Sequence, residues 1–133
     1  MRKYTPENIT TLKENEIFVF GSNAEGIHGK GAALLAKQRF GASQGIAEGP
    51  QGNSYAIITK KNWRIPKSST LEEIREGIRK MLEYAKINQD KIFYVTKIGS
   101  SLAGYTISEI REQFIVCDIP NNVILPIEYE FRQ

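Results

Sequence analysis

The run Glu16-Ile17-Phe18-Val19-Phe20-Gly21-Ser22-Asn23-Ala24-Glu25-Gly26-Ile27-His28-Gly29-Lys30-Gly31-Ala32-Ala33 changes character twice within eighteen residues. Its first five residues are a short apolar stretch that ends at a glycine, which is typical of a buried strand. The segment after it, from Gly21 to Gly31, is rich in glycine and predicts a loop. Residues Ala32 to Phe40 are mostly good helix formers, and Gly41 suits a helix C-terminus. The sequence therefore predicts a strand, a glycine-rich loop and a helix in succession.

The same alternation continues along the chain. Apolar runs predict further strands, and helical spacing or capping-box pairs (Thr70 with Glu73, Thr106 with Glu109) predict further helices. The predicted strands are Ser54–Thr59, Lys91–Ile98 and Asn122–Ile127, and the predicted helices are Ser68–Asn88 and Thr106 to about Phe114. A second glycine-rich stretch, Gly41 to Gly52, is predicted as loop. Strands that alternate with helices favour an α/β domain with helices on both faces of a largely parallel sheet.

Composition narrows the class of protein. The chain has 133 residues, of which 41% are hydrophobic and 25% are charged, so we expect one globular domain over residues 1–133. These values exclude a disordered, collagen-like or disulfide-scaffold chain, and no apolar run approaches the roughly 20 residues of a membrane span. Basic residues near Met1 precede no apolar stretch, and Cys117 is the single cysteine, so we expect a cytoplasmic protein. Because Cys117 lies in an apolar run, we expect a buried thiol.

A modest basic excess leaves two interpretations open. The net charge is +3, and the densest basic stretch contains Lys60, Lys61, Arg64 and Lys67 around Trp63. Such a stretch could contact phosphates and stack on a base, which would make the chain a nucleic-acid or protein interaction module without catalysis. The simpler interpretation, which we favour, is a solvated loop with Trp63 folded back onto the domain.

Two glycine-rich loops occupy matching positions in the predicted fold. Gly21–Gly31 and Gly99–Tyr105 each follow an apolar strand and lead into a helix. In α/β sheets, ligands bind beyond the carboxyl ends of strands, and helix N-termini favour anions. The alternative is that both are only tight turns. Neither ordinary nucleotide motif fits, because Ile27-His28 stands where the Walker pattern needs Lys-Ser/Thr and Leu34 stands where the Rossmann pattern needs its third glycine.

The ordered set of these segments resembles the macro domain family. Val19-Phe20-Gly21-Ser22-Asn23-Ala24, followed by Gly29-Lys30-Gly31-Ala32-Ala33, resembles the first loop of that family. Gly45-Ile46-Ala47-Glu48-Gly49 is similar to the segment before the middle strand, and Ile98–Tyr105 is similar to the second loop. Asn8-Ile9-Thr10 resembles an early Gly-Asp-Ile-Thr turn whose aspartate receives the adenine amino group. The resemblance covers roughly Asn8 to Phe114.

This resemblance implies a three-layer α/β/α fold with a mixed, largely parallel sheet, and a ligand that is ADP-ribose or a related nucleotide derived from NAD. It implies no cofactor, and no His, Cys and Asp cluster has metal-ligand spacing. The ligand could be free or attached to a macromolecule. The implied ligand-binding residues are Asn8, Ile9, Gly21, Ser22, Asn23, Ala24, His28, Gly29, Lys30, Gly31, Ala32, Gly99, Ser100, Ser101, Leu102, Ala103, Gly104 and Tyr105.

Catalysis by Asn23 and His28 is a hypothesis with an alternative for each residue. The resemblance implies an ADP-ribosyl hydrolase or an ADP-ribose phosphate phosphatase in which Asn23 fixes a ribose hydroxyl or a water. His28 would act as a general base or hold a phosphate. Asn23 could instead bond its own turn, and His28 could orient neighbouring carbonyls. A chain that only binds the ligand, or one that keeps the fold and has lost its ligand, also fits the sequence.

Overall fold

The computed structural model describes residues 3–99 and 103–130, which form one five-stranded sheet, three α-helices and a short 3₁₀ helix. In chain order these elements are β1 (Glu16–Asn23), α1 (Gly31–Arg39), β2 (Gly49–Gln51), β3 (Ser54–Lys60), α2 (Leu71–Ile87), β4 (Ile92–Val95), α3 (Ile107–Ile115), β5 (Val123–Ile124) and the 3₁₀ helix (Ile127–Tyr129).

The sheet has the strand order β2-β3-β1-β4-β5, with β1 at its centre. Strand β1 pairs in parallel with β3 and β4, and β4 pairs in parallel with β5, whereas β2 is antiparallel to β3. Side chains alternate along a strand, so Ile17 and Val19 face one way and Phe18 and Phe20 the other. Both pairs are buried. The predicted mixed, largely parallel sheet is therefore confirmed.

Helices cover both faces of β1. The first face packs with α2 and α3 in a large apolar cluster that includes Ile74 and Phe114. The second face packs with α1 through Ala33 and Ala36 in a smaller cluster. Small side chains on α1 let the helix lie close to the phenylalanines of β1. The predicted α/β/α layering is confirmed by this arrangement.

Both predicted capping boxes are formed. The Thr70 hydroxyl accepts a hydrogen bond from the Glu73 backbone N–H at 3.1 Å, and the Glu73 carboxylate accepts one from the Thr70 N–H at 2.8 Å. Thr106 and Glu109 make the same pair of bonds at the start of α3. The cap fixes the helix start, which is why α2 begins at Leu71 rather than at the predicted Ser68.

Several predicted boundaries were wrong. Strand β1 continues to Asn23 because Gly21 and Ser22 stay in register with Ile57 and Ile58 of β3, so the first loop begins later than predicted. The stretch predicted as loop contains β2, which pairs with β3 across a turn at Gly52-Asn53. Strand β4 ends at Val95, the last residue that pairs with β1, whereas the predicted strand continued to Ile98.

The C-terminal part also departs from the prediction. The predicted strand over Asn122–Ile127 forms β-structure at Val123–Ile124 alone, and a 3₁₀ helix starts at Ile127 after Pro126. Cys117 is half-buried rather than buried, since it follows the last turn of α3. No helix in the described ranges is both long and apolar enough to cross a membrane.

Candidate functional site

The two glycine-rich loops leave the same edge of the sheet. Strands β1 and β4 are parallel neighbours, so their carboxyl ends and the loops that follow them lie side by side. Thr96 ties them together, because its hydroxyl and its N–H donate to the Val19 carbonyl at 2.8 and 3.1 Å. A Cβ on Gly21 would lie 3.0 Å from Thr59 Oγ1 and 3.6 Å from Ile98 Cβ. The absence of a side chain at Gly21 therefore lets three segments meet here.

A cavity of about 490 Å³ opens beside β1 at Phe18 and next to the carboxyl end of β4, in the size range of small-molecule sites. Its walls come from the N-terminal segment, from Phe18 of β1, from one side of α1, from the residues that follow β4 and from the start of the 3₁₀ helix. The lining residues are Thr5, Pro6, Glu7, Asn8, Ile9, Thr10, Phe18, Gly31, Ala32, Leu35, Arg39, Thr96, Lys97, Pro126, Ile127 and Glu128. Apolar side chains and charged side chains both contribute, which suits an amphiphilic ligand.

The amino end of α1 opens into this cavity. The helix starts at Gly31, which has a positive φ of 58° and lies in the cavity wall. Lys30, in the cap position, makes no side-chain cap hydrogen bond, and the first turn has no acidic residue. The first backbone N–H groups of a helix have no partner within the helix, and the helix dipole favours anions there. This end of the cavity therefore suits a phosphate group.

Asn23 is buried and bonded within its own loop. Its Nδ2 donates to the Ile27 carbonyl at 2.7 Å, and its Oδ1 accepts from the Ile27 N–H at 3.0 Å. Ser22 is also buried, and its hydroxyl donates to the Ala47 carbonyl. Asn23 thus makes the turn contacts of the alternative interpretation. Its catalytic role stays a prediction.

His28 is fully buried behind the loop. Its ring packs edge-on against Phe20 with centroids 5.3 Å apart, and Nε2 lies 3.1 Å from the Ile46 carbonyl oxygen. Its backbone N–H donates to Gln44 Oε1 at 3.1 Å. The ring therefore joins the first loop to the glycine-rich stretch before β2, and its proposed role as a base stays a prediction.

The second loop is described in part. Gly99 and Gly104 have positive φ values of 76° and 91°. Ala103 is buried, and its carbonyl accepts from the Lys67 N–H at 2.7 Å. The Tyr105 hydroxyl donates to the Ser69 carbonyl at 2.5 Å. Of the predicted ligand-binding residues in this loop, Ser100, Ser101 and Leu102 lie outside the described residues.

The basic stretch packs beside both loops. The Trp63 N–H donates to Glu25 Oε1 at 3.1 Å, and the Lys60 ammonium donates to the Trp63 carbonyl at 2.8 Å. Burial, and then the nearby Lys30 charge, lower the pKa of Lys60. Lys61 forms an ion pair with Glu73 at 3.0 Å. Trp63 is half-buried, so this segment forms part of the wall around the loops.

The structure brings four predicted site residues into the cavity wall: Asn8, Ile9, Gly31 and Ala32. Ala24, Gly29 and Lys30 are exposed in the first loop nearby. Sequence reasoning missed Glu7, Lys97 and Glu128. The available signal was a lysine at the end of an apolar run, directly before a glycine-rich loop. Among residues 3–99 and 103–130, no three His, Cys, Asp or Glu side chains are grouped to hold a metal.

Comparison with protein-family models and with curated proteins finds no match. Solved structures do match over most of the chain. The macrodomain of Mycobacterium tuberculosis DarG superposes with a TM-score of 0.67 at 19% identity, covering 95% of this chain and 97% of that chain. This chain has the macrodomain fold. Thermosipho africanus DarTG in complex with ADP-ribose matches the same fold with a TM-score of 0.55 at 21% identity. That match covers 86% of this chain and 39% of the DarTG chain.

Proposed function

We propose that this chain binds ADP-ribose in the cavity beside β1. The observation that carries the proposal is that α1 begins at Gly31, in the cavity wall, with no side-chain cap and no acidic residue in its first turn. One structure with the same fold is described as a complex with ADP-ribose, which supports this choice of ligand.

The cavity offers separate surroundings for the parts of the ligand. Ile9, Phe18 and Leu35 supply apolar surface for the base. The amino end of α1 suits the diphosphate, because its N–H groups and the helix dipole both favour negative charge. The second glycine-rich loop leaves the adjacent strand and is our candidate for the distal ribose.

Binding is the activity that the geometry supports best. Both polar atoms of the Asn23 amide are bonded to Ile27, and His28 is packed against Phe20. The hypothesis of hydrolysis of an ADP-ribosyl or terminal phosphate bond assigns the chemistry to Asn23 and His28, and it stays a prediction. A ligand attached to a macromolecule also stays a prediction.

Calorimetric titration tests the proposal. We expect heat with ADP-ribose, and weaker binding of AMP and NAD, since AMP lacks the second phosphate and NAD carries a bulky nicotinamide on the distal ribose. No heat with ADP-ribose, ADP-ribose phosphate or cyclic derivatives would refute the proposal.

A pair of variants at Gly31 isolates the electrostatic contribution that the amino end of α1 makes to ligand binding. Gly31→Glu places a carboxylate at the start of α1, where its charge interacts favourably with the helix dipole but repels a diphosphate. Gly31→Ala is the matched control, because it strains the same positive φ without adding charge. We expect Gly31→Glu to abolish binding and Gly31→Ala to weaken it much less.

The alternative function, a nucleic-acid or protein interaction module that uses the basic Lys60–Lys67 stretch, predicts the opposite effects of the variants on binding. It requires salt-dependent binding of oligonucleotides that Lys61→Glu weakens and that Gly31→Glu leaves unchanged. If Gly31→Glu abolishes ligand binding while Lys61→Glu has no effect, the alternative is excluded as the function of this cavity.

A further inference from the structure

A second cavity adjoins the first near the carboxyl end of α1. It has a volume of about 400 Å³, and its walls come from the segment before β1, the end of α1 and the turn before β3. Thr10 and Arg39 line both this cavity and the larger one. Arg39 therefore lies at the boundary between the two cavities.

The Arg39 guanidinium is available to a ligand. Its Nη1 donates to the Thr10 carbonyl at 3.4 Å, a long hydrogen bond that uses one of the five guanidinium N–H groups. The side chain is exposed, and no carboxylate within residues 3–99 and 103–130 forms an ion pair with it. Lys97, the other cation in the wall of the larger cavity, is instead paired with Glu7 and Glu128.

Lys13 adds a second positive charge next to Arg39. It lines the second cavity and is exposed, and its ammonium forms no ion pair with any carboxylate in the described part of the chain. Glu14 lines the same cavity, so two cations face one carboxylate there. The hydroxyls of Thr10 and Thr11 add groups that can donate hydrogen bonds. This boundary therefore suits an anion.

The position of Arg39 on α1 indicates which part of the ligand it would meet. Gly31, Leu35 and Arg39 are spaced by four residues, so they lie on one face of the helix, and all three line the larger cavity. At about 1.5 Å per residue, Arg39 lies roughly 12 Å along the axis from Gly31 but only about 6 Å from Leu35. Arg39 is thus close to the base position and far from the diphosphate position.

Only one ribose hydroxyl position of the ligand combines these two properties. In ADP-ribose the 2′ carbon of the adenosine ribose is bonded directly to the carbon that carries the base, whereas the distal ribose lies beyond the diphosphate. A guanidinium can donate two parallel hydrogen bonds to a phosphate. Arginine also accommodates the 2′-phosphate of NADP in an unrelated dinucleotide-binding fold, which shows that the pairing is chemically suitable.

We propose that Arg39, together with Lys13, binds a phosphate on the 2′ oxygen of the adenosine ribose, so that the site prefers the ADP-ribose derived from NADP to that derived from NAD. This inference rests on the proposed function, because it needs the base to lie in the larger cavity. A phosphate monoester carries a charge of about −1.5 to −2 at neutral pH, which two cations can neutralise.

Calorimetry with three ligands tests the inference. They are ADP-ribose, ADP-ribose 2′-phosphate, and the isomer that carries the same phosphate on the distal ribose. We expect the 2′-phosphate to bind about tenfold more tightly than ADP-ribose, at the low end of the range for hydrogen bonds to charged groups, because both cations are exposed to water. This advantage should shrink as the NaCl concentration rises, since salt screens exposed charges.

Variants at the end of α1 assign the effect to Arg39. Arg39→Gln should reduce the advantage of the 2′-phosphate to within about threefold, because the remaining cation is exposed and contributes little. Arg39→Gln should not change the ratio between the affinities for ADP-ribose and for the distal isomer. Arg39→Lys should retain part of the advantage, because it keeps the charge and loses the planar fork.

Lys37→Gln is the matched control. Lys37 also lies in the last turn of α1 and is exposed, but it lines neither cavity. This change removes the same charge from the same end of the helix, so the 2′-phosphate should keep its full advantage. Denaturant unfolding of every variant separates these effects from loss of the fold.

The outcomes separate the two proposals. Binding of the 2′-phosphate that is no tighter than that of ADP-ribose, or an advantage that Arg39→Gln leaves intact, overturns the role of Arg39 while ADP-ribose binding stands. An equal loss of the advantage in Lys37→Gln also overturns it, since the effect would then come from general positive charge. Absence of binding to all three ligands overturns the proposed function, and the 2′-phosphate site with it.

Discussion

Replacing Gly99 with alanine tests how tightly the second glycine-rich loop is packed. Gly99 follows the buried Ile98 and has a φ of 76°, a region that an L side chain adopts at a cost of roughly 1–2 kcal/mol. A Cβ at this position would overlap Ile110 Cδ1 and lie 3.0 Å from Ile110 Cγ1. Ile110 is fully buried on α3, so it cannot move away into solvent.

The expected loss of stability has two parts. Backbone strain contributes roughly 1–2 kcal/mol, and overpacking against Ile110 adds about 1–3 kcal/mol. Gly45→Ala is the matched control, because Gly45 has a φ of 92° and a Cβ there meets nothing within 4 Å. We expect Gly99→Ala to lower the free energy of unfolding by about 1–3 kcal/mol more than Gly45→Ala does.

Urea unfolding followed by circular dichroism measures both variants, and a double-mutant cycle identifies the clash. Ile110→Val removes the overlapping Cδ1 and alone costs about 0.5–1.5 kcal/mol. Adding Ile110→Val to Gly99→Ala should therefore cost less than the two changes sum to. Equal effects of Gly99→Ala and Gly45→Ala, or strictly additive changes in the cycle, would refute the packing argument.

Three further predictions concern caps, pH and His28. Thr106→Ala removes the cap of α3 and should lower the free energy of unfolding by about 1 kcal/mol in urea, whereas Thr106→Ser should retain most of it. Backbone hydrogen bonds from Thr70 and Thr106 lower the pKa of the Glu73 and Glu109 carboxyls, so stability is full above their ordinary pKa and falls as pH drops through the lowered values. Unfolding measured from neutral to acid pH should show this loss, and a double variant with Glu73→Gln and Glu109→Gln should lose less of its stability over the same range. His28→Phe keeps the buried ring and should retain ADP-ribose binding, while His28→Ala should cost about 2–4 kcal/mol of unfolding free energy.

The His28 variants also decide between the two interpretations of that residue. If His28 is a catalytic base, His28→Phe abolishes any turnover of ADP-ribose phosphate while binding persists. If the ring only packs between Phe20 and Ile46, turnover measured in the unmodified protein persists in the variant.

Local signals in the sequence determined the elements of this fold. The apolar run at Glu16–Phe20 predicts the central strand, because a strand buried on both faces carries few polar residues. Thr70 and Thr106 predict helix starts, because a capping box acts within four residues. The two glycine-rich loops predict a site at one sheet edge, because parallel strands end together. The alternation of strands and helices along the chain was sufficient to predict the α/β/α layers.

Strand boundaries depended on partners distant in sequence. Gly21 and Ser22 look like loop residues, but pairing with Ile57 and Ile58 keeps them in β1. Strand β2 contains Gly49 and Pro50, which have weak strand propensity, and it exists because β3 offers an edge for pairing. Propensity acts locally, whereas a ladder of hydrogen bonds needs a second strand.

The tertiary structure alone determines which residues form the rim of the cavity, and whether the polar residues of the first loop are buried and hydrogen-bonded. Two ion pairs join Lys97 to Glu7 and to Glu128, and these residues lie up to 121 positions apart in the sequence. Nothing in the local sequence around them predicts that they form ion pairs. Asn23 and His28 look like free loop side chains in the sequence, but the fold buries both against carbonyl groups. Sequence determined which groups the chain carries near its loops, and packing over long separations determined which of them face a ligand.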